Sequence, residues 1–325
     1  MKSVVEDIKK GSFKPVYLFY GEEAYLKQQY KNRLKNAVLP EGDTINLSIY
    51  SGKGIDVKEM IAQADTMPFF AEHRLLLIED SGFFKNANQQ LAEYIPSIPK
   101  ETIMLFVESE VDKRGKLYKA VSKKGSVVEF TAQNEQTLTR WILGILKTEG
   151  KMIASGAMKQ FLEKTGTDME RIRQELEKLI CYCMEKESIT EEDVAVICSE
   201  QTENKIFDMI NAMAEKKQKK AMELYYDLLA LKEPPMRILY LITRQFNLLM
   251  QVKELSEEGY SAKTISERLK MAGFIVRNCL RQAEYFSLKT LKEALQDCVR
   301  MEEAVKTGRM NDVMSVELLL VKYSS

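Results

Sequence analysis

The sequence predicts an α/β domain followed by an all-helical remainder. As far as Phe130, short apolar runs rich in β-branched and aromatic residues alternate with helical segments. Beyond Phe130, apolar residues recur at intervals of three and four, the spacing typical of helices. Glycine and proline are scarce, with 15 and 7 residues in a chain of 325, which disfavours an all-β protein with many tight turns.

Five apolar runs predict the strands of a parallel sheet. These runs are Val16–Tyr20, Ile45–Tyr50, Arg74–Glu79, Thr102–Val107 and Val127–Phe130. The predicted helices between them are Glu22–Val38, Val57–Asp65, Asn88–Ile95 and Lys116–Lys124. Strands that are apolar along their whole length are buried on both faces, so the alternation indicates helices on both sides of the sheet. Folds of this kind usually bind ligands beyond the carboxyl ends of their strands.

The helical remainder divides into two groups. The first group comprises Trp141–Thr148, Met158–Lys164, Met169–Cys183 capped by Asp168, and Val194–Cys198 behind a capping box at Thr190. The second group comprises Phe207–Glu215, Ala221–Leu231, a long helix opened by Pro234 and Pro235, Ala262–Met271, Ile275–Tyr285, Leu288–Thr307 capped by Ser287, and Val313–Lys322. We therefore predict three domains, at residues 1–140, 141–211 and 212–325.

The composition is that of a folded chain without bulk affinity for nucleic acid. Basic and acidic residues number 48 each and hydrophobic residues make up 45%, which excludes disorder as the main state. The three predicted domains carry net charges of only +1, −5 and +4. Apolar runs such as Thr102–Val107 are far shorter than the roughly 20 residues of a membrane span. Acidic residues also interrupt the N-terminus, so we expect a cytoplasmic protein that does not contact a membrane.

Side-chain patterns for catalysis or metal binding are missing from the sequence. Five cysteines follow no zinc-site spacing and are expected to be reduced thiols: Cys181, Cys183, Cys198, Cys279 and Cys298. His73 is the only histidine, so a multi-histidine metal site has no candidates. We expect His73 at the surface and not as a base, and we predict neither a catalytic residue nor a metal site.

The turn after the first predicted strand lacks a phosphate-binding loop. A P-loop would place GxxxxGK[ST] here, because backbone N–H groups and a lysine must reach the phosphates. This chain has Gly21 alone, followed by Glu22 and Glu23, whose carboxylates would repel a phosphate. The third predicted strand ends in Glu79 and Asp80, which we interpret as a polar strand terminus and not as a metal-holding one. The predicted fold is typical of nucleotide binding, but we expect no bound nucleotide.

The chain resembles the clamp-loader branch of the AAA+ proteins, and in particular the bacterial DNA polymerase III delta subunit family. The segments that carry the resemblance are Pro15–Glu23, Pro68–Leu75, Asp112–Arg114, Glu175–Leu179 and Arg244–Phe246. These segments have the order and spacing of the family and extend over nearly the full length of the chain. The resemblance implies a AAA+-like sheet domain without a working P-loop, a small helical lid at 141–211 and a C-terminal helical collar, used for oligomerisation, at 212–325.

The resemblance also implies a function and partners. A delta subunit binds the beta sliding clamp and opens its ring, or holds it open, so that the clamp is loaded on primed DNA during replication. It assembles with other loader subunits, of the gamma/tau and delta-prime type, and ATP is expected on partner subunits only. The chain would have no catalytic site of its own, since the nucleotidyltransferase activity of the polymerase III holoenzyme resides in other subunits.

The implied clamp-binding residues are Met67, Pro68, Phe69 and Phe70. By themselves, two phenylalanines before a strand are more typical of a core. The resemblance reverses this interpretation, because one ring can still pack inward while the other points outward. Possible contacts with DNA or a neighbouring subunit are Lys113, Arg114, Lys216, Lys217, Lys219, Lys220 and Arg244. For the lysines and Arg114 a plain solvated surface is the alternative, and for Arg244 the alternative is packing between collar helices.

Two other functions stay open on the sequence alone. An NTPase with an unusual phosphate loop would bind nucleotide as an isolated chain. A non-catalytic AAA+-like adaptor of some other complex would bind no sliding clamp. The ordered segments of the resemblance favour the clamp-loader subunit over both.

Overall fold

The computed structural model describes residues 1–86, 88–198 and 202–324. The chain divides into two compact units, residues 1–133 and 134–325. The first unit is α/β and the second is almost entirely helical, so the predicted fold class is confirmed. The finer prediction of a lid at 141–211 separate from a collar at 212–325 stays a prediction.

The first unit is built around a five-stranded parallel sheet. Its strands are β1 Val16–Tyr20, β2 Leu47–Ser51, β3 Arg74–Glu79, β4 Thr102–Glu108 and β5 Ser126–Glu129. Its helices are α1 Lys2–Lys10, α2 Ala24–Val38, α3 Val57–Ala64, α4 Gln89–Tyr94 and α5 Lys116–Lys124, with a short 3₁₀ turn at Ile95–Ser97. The strand order is β2-β3-β4-β1-β5, and Leu18 of β1 pairs with Phe106 of β4. All five predicted strands are therefore present, while α1 was not predicted.

Apolar residues on both faces of the sheet hold the helices in place. On one face, Met60 of α3, Leu91 of α4 and Leu117 of α5 are buried against the sheet. On the other face, Val4 of α1 and Leu34 of α2 are buried. β1 is buried along its whole length, as β3 is except at its last residue, because helices cover both sides. β2, at the edge of the sheet, is only partly covered.

The second unit consists of eleven helices and one small sheet among the described residues. The helices are α6 Glu135–Thr148, α7 Ser155–Thr165, α8 Met169–Tyr182, α9 Glu191–Ile197, α10 Thr202–Ala214, α11 Gln218–Ala230, α12 Pro235–Glu257, α13 Ala262–Leu269, α14 Gly273–Ala283, α15 Leu288–Lys306 and α16 Asp312–Ser324. Two short parallel strands, β6 Met152–Ile153 and β7 Ser188–Ile189, were not predicted. The predicted helices of both groups are present, with boundaries shifted by a few residues at most ends.

The predicted helix caps are confirmed. The Asp168 carboxylate accepts the Arg171 N–H at the start of α8, and the Ser287 hydroxyl accepts the Thr290 N–H at the start of α15. Thr190 and Asp193 form the predicted capping box of α9. Long α12 supplies the centre of the largest core, with Phe246 fully buried as expected.

All five cysteines are free thiols, of which only Cys181 is exposed. No helix within the described ranges is long and apolar enough to cross a bilayer.

The carboxylate of Asp193 makes the capping box of α9 sensitive to pH. The Lys186 ammonium donates to it at 2.5 Å, and the N–H and hydroxyl of Thr190 donate at 2.9 and 2.8 Å. The Lys186 contact and then the Thr190 donors lower the pKa of Asp193 to about 2. Because the pKa of Asp193 is lower in the folded state than in the unfolded chain, ionised Asp193 stabilises the folded state at pH values above its unfolded pKa. This contribution is lost as pH falls through about 2.

We expect Asp193→Asn to lower the free energy of unfolding at pH 7 by about 1–2 kcal/mol, the usual effect of losing a cap. The gap between wild type and variant should narrow as pH falls from about 4 to about 2, because protonated Asp193 no longer pairs with Lys186. Urea denaturation at several pH values measures both quantities. A gap that is independent of pH would contradict the assignment.

Candidate functional site

Residues 67–70 form an exposed apolar loop that we call the phenylalanine tip. It lies between α3 and β3, at the edge of the sheet where the strands begin. Met67 is 80% exposed, Phe69 57% and Phe70 95%, while Pro68 is half-buried. The two phenylalanine rings meet edge to face with centroids 4.6 Å apart. Both rings therefore face solvent, and neither packs inward as the sequence would have allowed.

The conformation of the phenylalanine tip is unusual for its residues. Phe70 has a φ of 49°, in the left-handed region that residues other than glycine rarely adopt. A residue held there costs of the order of 1–3 kcal/mol, and such strain clusters at functional sites. Large apolar side chains that stay exposed together mark surfaces for partners more often than single exposed residues do.

Two buried polar side chains hold the phenylalanine tip. The Asn46 side chain, only 2% exposed, accepts the Phe69 N–H at 2.7 Å and donates to the Phe69 carbonyl at 3.0 Å. The guanidinium of buried Arg74 donates to the Met67 carbonyl at a longer 3.4 Å. Sequence reasoning missed both residues, although Asp43-x-x-Asn46 before a strand is a pattern typical of a turn closed by hydrogen bonds from a side chain to the backbone.

His73 follows the tip and is half-buried, so the expectation of a surface position is met only in part. Its ring meets Phe13 edge to face at 5.7 Å. Its Nδ1 atom is buried and has no hydrogen-bond partner among the described residues.

The opposite edge of the sheet, where the strands end, carries an open depression of about 680 Å³. Gly21 and Glu22, in the turn from β1 to α2, line it. Gly21 has a φ of +116°, and a Cβ there would lie 2.3 Å from the Phe130 carbonyl oxygen. The Glu23 N–H donates to the same oxygen at 3.1 Å. The turn is thus bonded to the protein where a phosphate-binding loop would leave its N–H groups free.

The two lysines in the first half of α2 also have acceptors inside the protein. Lys27 Nζ donates to the Glu108 carbonyl oxygen at 3.2 Å, and burial lowers the pKa of Lys27. Lys31, which is buried, pairs with the Glu79 carboxylate at 2.7 Å. Glu79, at the end of β3, is therefore paired with a cation of the chain itself. No three acidic, histidine or cysteine side chains of the described residues cluster as metal ligands would.

Buried Glu108, at the end of β4, orders the loop that follows β3. Its carboxylate accepts the Ser81 hydroxyl, the Ser81 N–H at 3.2 Å and the Gly82 N–H at 3.3 Å. Burial raises the pKa of Glu108, and these donors oppose the rise. Sequence reasoning missed this residue, because a single glutamate at a strand end carries no pattern.

The predicted cationic contacts are all exposed, and most are paired with acids. Lys113 pairs with Glu129 at 2.9 Å, and Arg114 pairs with Asp112 at 3.1 Å. In the turn from α10 to α11, Lys217 pairs with Glu215 at 2.6 Å, and Lys219 lies 3.9 Å from Glu223. Lys216 and Lys220 are exposed beside them.

Arg244, on α12, lies apart from the lysine run in a second cleft. Lys164 and Arg281 also line this cleft, which has a volume of about 670 Å³. None of the four lysines in the segment 216–220 lines it. The Arg244 side chain makes no hydrogen bond or ion pair within the part of the chain that the structure describes. Its neighbour Gln245 donates to the buried Gln282, which in turn donates to Asn211.

Both units of the chain match family models of known proteins. Family models of the DNA polymerase III delta subunit match residues 17–131, and those of its C-terminal domain match residues 203–323. The DNA polymerase III subunit delta of Bacillus subtilis is 30% identical, over 98% of this chain and 95% of that protein. The chain belongs to the DNA polymerase III delta subunit family, and is thus a component of a replicative clamp loader. The resemblance inferred from the sequence is confirmed.

The structural comparison agrees. The solved Bacillus subtilis DNA clamp loader delta protein superposes with a TM-score of 0.69 at 30% identity, covering 99% of both chains. A probable DNA polymerase III subunit delta of Aquifex aeolicus is 21% identical, over 75% of this chain and 72% of that protein. A delta subunit works within a polymerase III clamp-loader complex alongside other subunits.

We expect Gly21→Ala to lower the free energy of unfolding by at least about 2 kcal/mol, because it adds a backbone clash to a strained φ. Gly54→Ala is the matched control, since its φ is +100° and a Cβ would meet nothing within 4 Å. Denaturant midpoints measure the difference. Equal losses in the two variants would show that the contact with Phe130 is unimportant.

Proposed function

We propose that this chain binds the beta sliding clamp through the phenylalanine tip. It then opens the clamp ring, or holds it open, so that the ring is loaded on primed DNA. The observation that supports the proposal most is the ordered exposure of Phe69 and Phe70 on a tip held by buried groups. Burying one phenylalanine contributes roughly 1.5–3 kcal/mol, and two such anchors act as hot spots of about 2 kcal/mol each.

Opening follows from differential affinity. A ligand shifts a conformational equilibrium only by as much as it prefers one state over the other. We infer that the tip binds a distorted or open clamp interface more tightly than the closed ring. Partner subunits of the gamma/tau type, carrying ATP, and of the delta-prime type would control whether the tip is accessible.

The groups that line the depression at the carboxyl ends of the strands support the hypothesis that this chain binds no nucleotide and catalyses no reaction. Its turn donates to Phe130, and Lys27 and Lys31 already have acceptors. ATP would then bind to partner subunits, and the polymerase reaction would take place on still other subunits of the holoenzyme. A replication role of this kind supports a cytoplasmic location.

For primed DNA or neighbouring subunits we propose contact with the exposed cations described above. The pairs of Lys217 and Lys219 are exposed, and exposed pairs contribute only about 0–1 kcal/mol, so phosphates can replace their acidic partners. Lys216 and Lys220 extend the same turn. Lysines neutralise phosphates without reading bases, which suits loading at any sequence.

We expect the Phe69→Ala/Phe70→Ala double variant to bind the sliding clamp at least about 100-fold more weakly than wild type, since two hot spots are removed. Titration calorimetry or surface plasmon resonance with purified clamp measures this. Met184→Ala is the control, because Met184 is an apolar residue of the other unit whose exposure, 74%, lies between those of Phe69 and Phe70.

Retention of binding by the double variant would move the contact elsewhere on the chain. Failure of folded wild type to bind any clamp would overturn the proposal and favour the adaptor of another complex.

We expect Mg²⁺-ATP to leave the melting temperature of the isolated chain unchanged. A ligand at 100 times its Kd would stabilise the folded state by about 2.7 kcal/mol, which a thermal scan detects easily. An ATP-binding loader subunit serves as the positive control. A clear upward shift in melting temperature would support the NTPase instead.

A further inference from the structure

We propose that Asp43 and Asn46, which we call the clasp, hold the phenylalanine tip in its binding-ready shape before the partner arrives. This inference rests on the proposed function and deepens it. The clasp residues are positioning residues, since they act on the clamp through the backbone of Phe69.

The two hydrogen bonds from Asn46 both reach one residue of the tip. The side-chain amide accepts the Phe69 N–H and donates to the Phe69 carbonyl, as a neighbouring strand would. No other described side chain holds both polar groups of that peptide backbone. Because Asn46 is almost fully buried, losing its partners would leave unsatisfied groups in the interior.

Asp43 orients the amide of Asn46. The second hydrogen of Asn46 Nδ2 goes to Asp43 Oδ2 at 2.8 Å, and a carboxylate can only accept. This contact fixes which end of the amide faces the Phe69 N–H. Asp43 also accepts the N–H groups of Ile45 and Asn46, each at 3.0 Å. Donation from Asn46, first of all, lowers the pKa of Asp43, which keeps it an ionised acceptor.

The phenylalanine tip depends on such a hold because it has little packing of its own. Phe70 is 95% exposed and has a positive φ, so neither burial nor backbone preference maintains its position. The contact from Arg74 to Met67 is long. Without the clasp the tip would sample many conformations, and ordering it on binding would weaken the affinity.

The test compares clamp binding of wild type, Asn46→Ala and Asn88→Ala. We expect Asn46→Ala to weaken binding roughly tenfold, equivalent to about 1.4 kcal/mol. Asn88 caps α4 in the same unit by accepting the Leu91 N–H, so its loss lowers stability without touching the tip. Asn88→Ala should bind the clamp like wild type.

A second readout follows the tip itself. Hydrogen exchange of the Phe69 amide should accelerate in Asn46→Ala but not in Asn88→Ala. If Asn46→Ala does not fold, Asp43→Ala carries the same test, with an expected weakening of a few-fold because the amide loses its orientation.

Full clamp affinity of Asn46→Ala, alongside loss in the Phe69→Ala/Phe70→Ala variant, would overturn the clasp and leave the proposed function standing. Equal weakening by Asn88→Ala would also overturn it, since general stability would then explain the effect. If wild type does not bind the clamp, the proposed function fails and the clasp's binding role fails with it.

Discussion

Burial of the central strands on both faces is the constraint on which the rest of the first unit depends. Helices must cover both sides of β1 and β3. Successive strands are therefore joined by helical crossover connections, and all five strands are parallel. All strand starts therefore meet at one edge and all strand ends at the other. Asn46 before β2 can reach Phe69 before β3 for this reason. Lys27 after β1 can reach Glu108 of β4 for the same reason.

The two edges of the sheet have opposite character. At the carboxyl edge, where such folds usually bind ligands, polar groups are satisfied by the protein itself through Glu23, Lys27 and Lys31. At the amino edge, apolar side chains are held in solvent by a strained backbone and buried hydrogen bonds. An architecture typical of nucleotide binding thus carries its exposed apolar surface on the edge away from the usual site, which illustrates that function lies in sites and not in folds.

Most of the fold could be predicted because its signals are local. β1 and β3 were predicted to the residue, since each is a continuous apolar run, and Gly21 follows the first. α1 was missed although Val4 and Ile8, four residues apart, pack on the core, because these apolar residues are few and stand in a mostly charged segment. β6 and β7 have two residues each, too few for any period to appear.

The sequence by itself determined the class of fold, the helix caps, the missing phosphate loop and, through resemblance, the family. Those properties depend on neighbours along the chain or on motif order. Only the tertiary structure decided that both Phe69 and Phe70 face solvent and that Asn46 and Arg74 hold the loop that carries them. The tertiary structure likewise decided that Glu108 orders the loop after β3, at the other end of the strands. These depend on contacts between segments distant in sequence, such as residue 46 with residue 69, and no local pattern encodes which buried polar group meets which backbone.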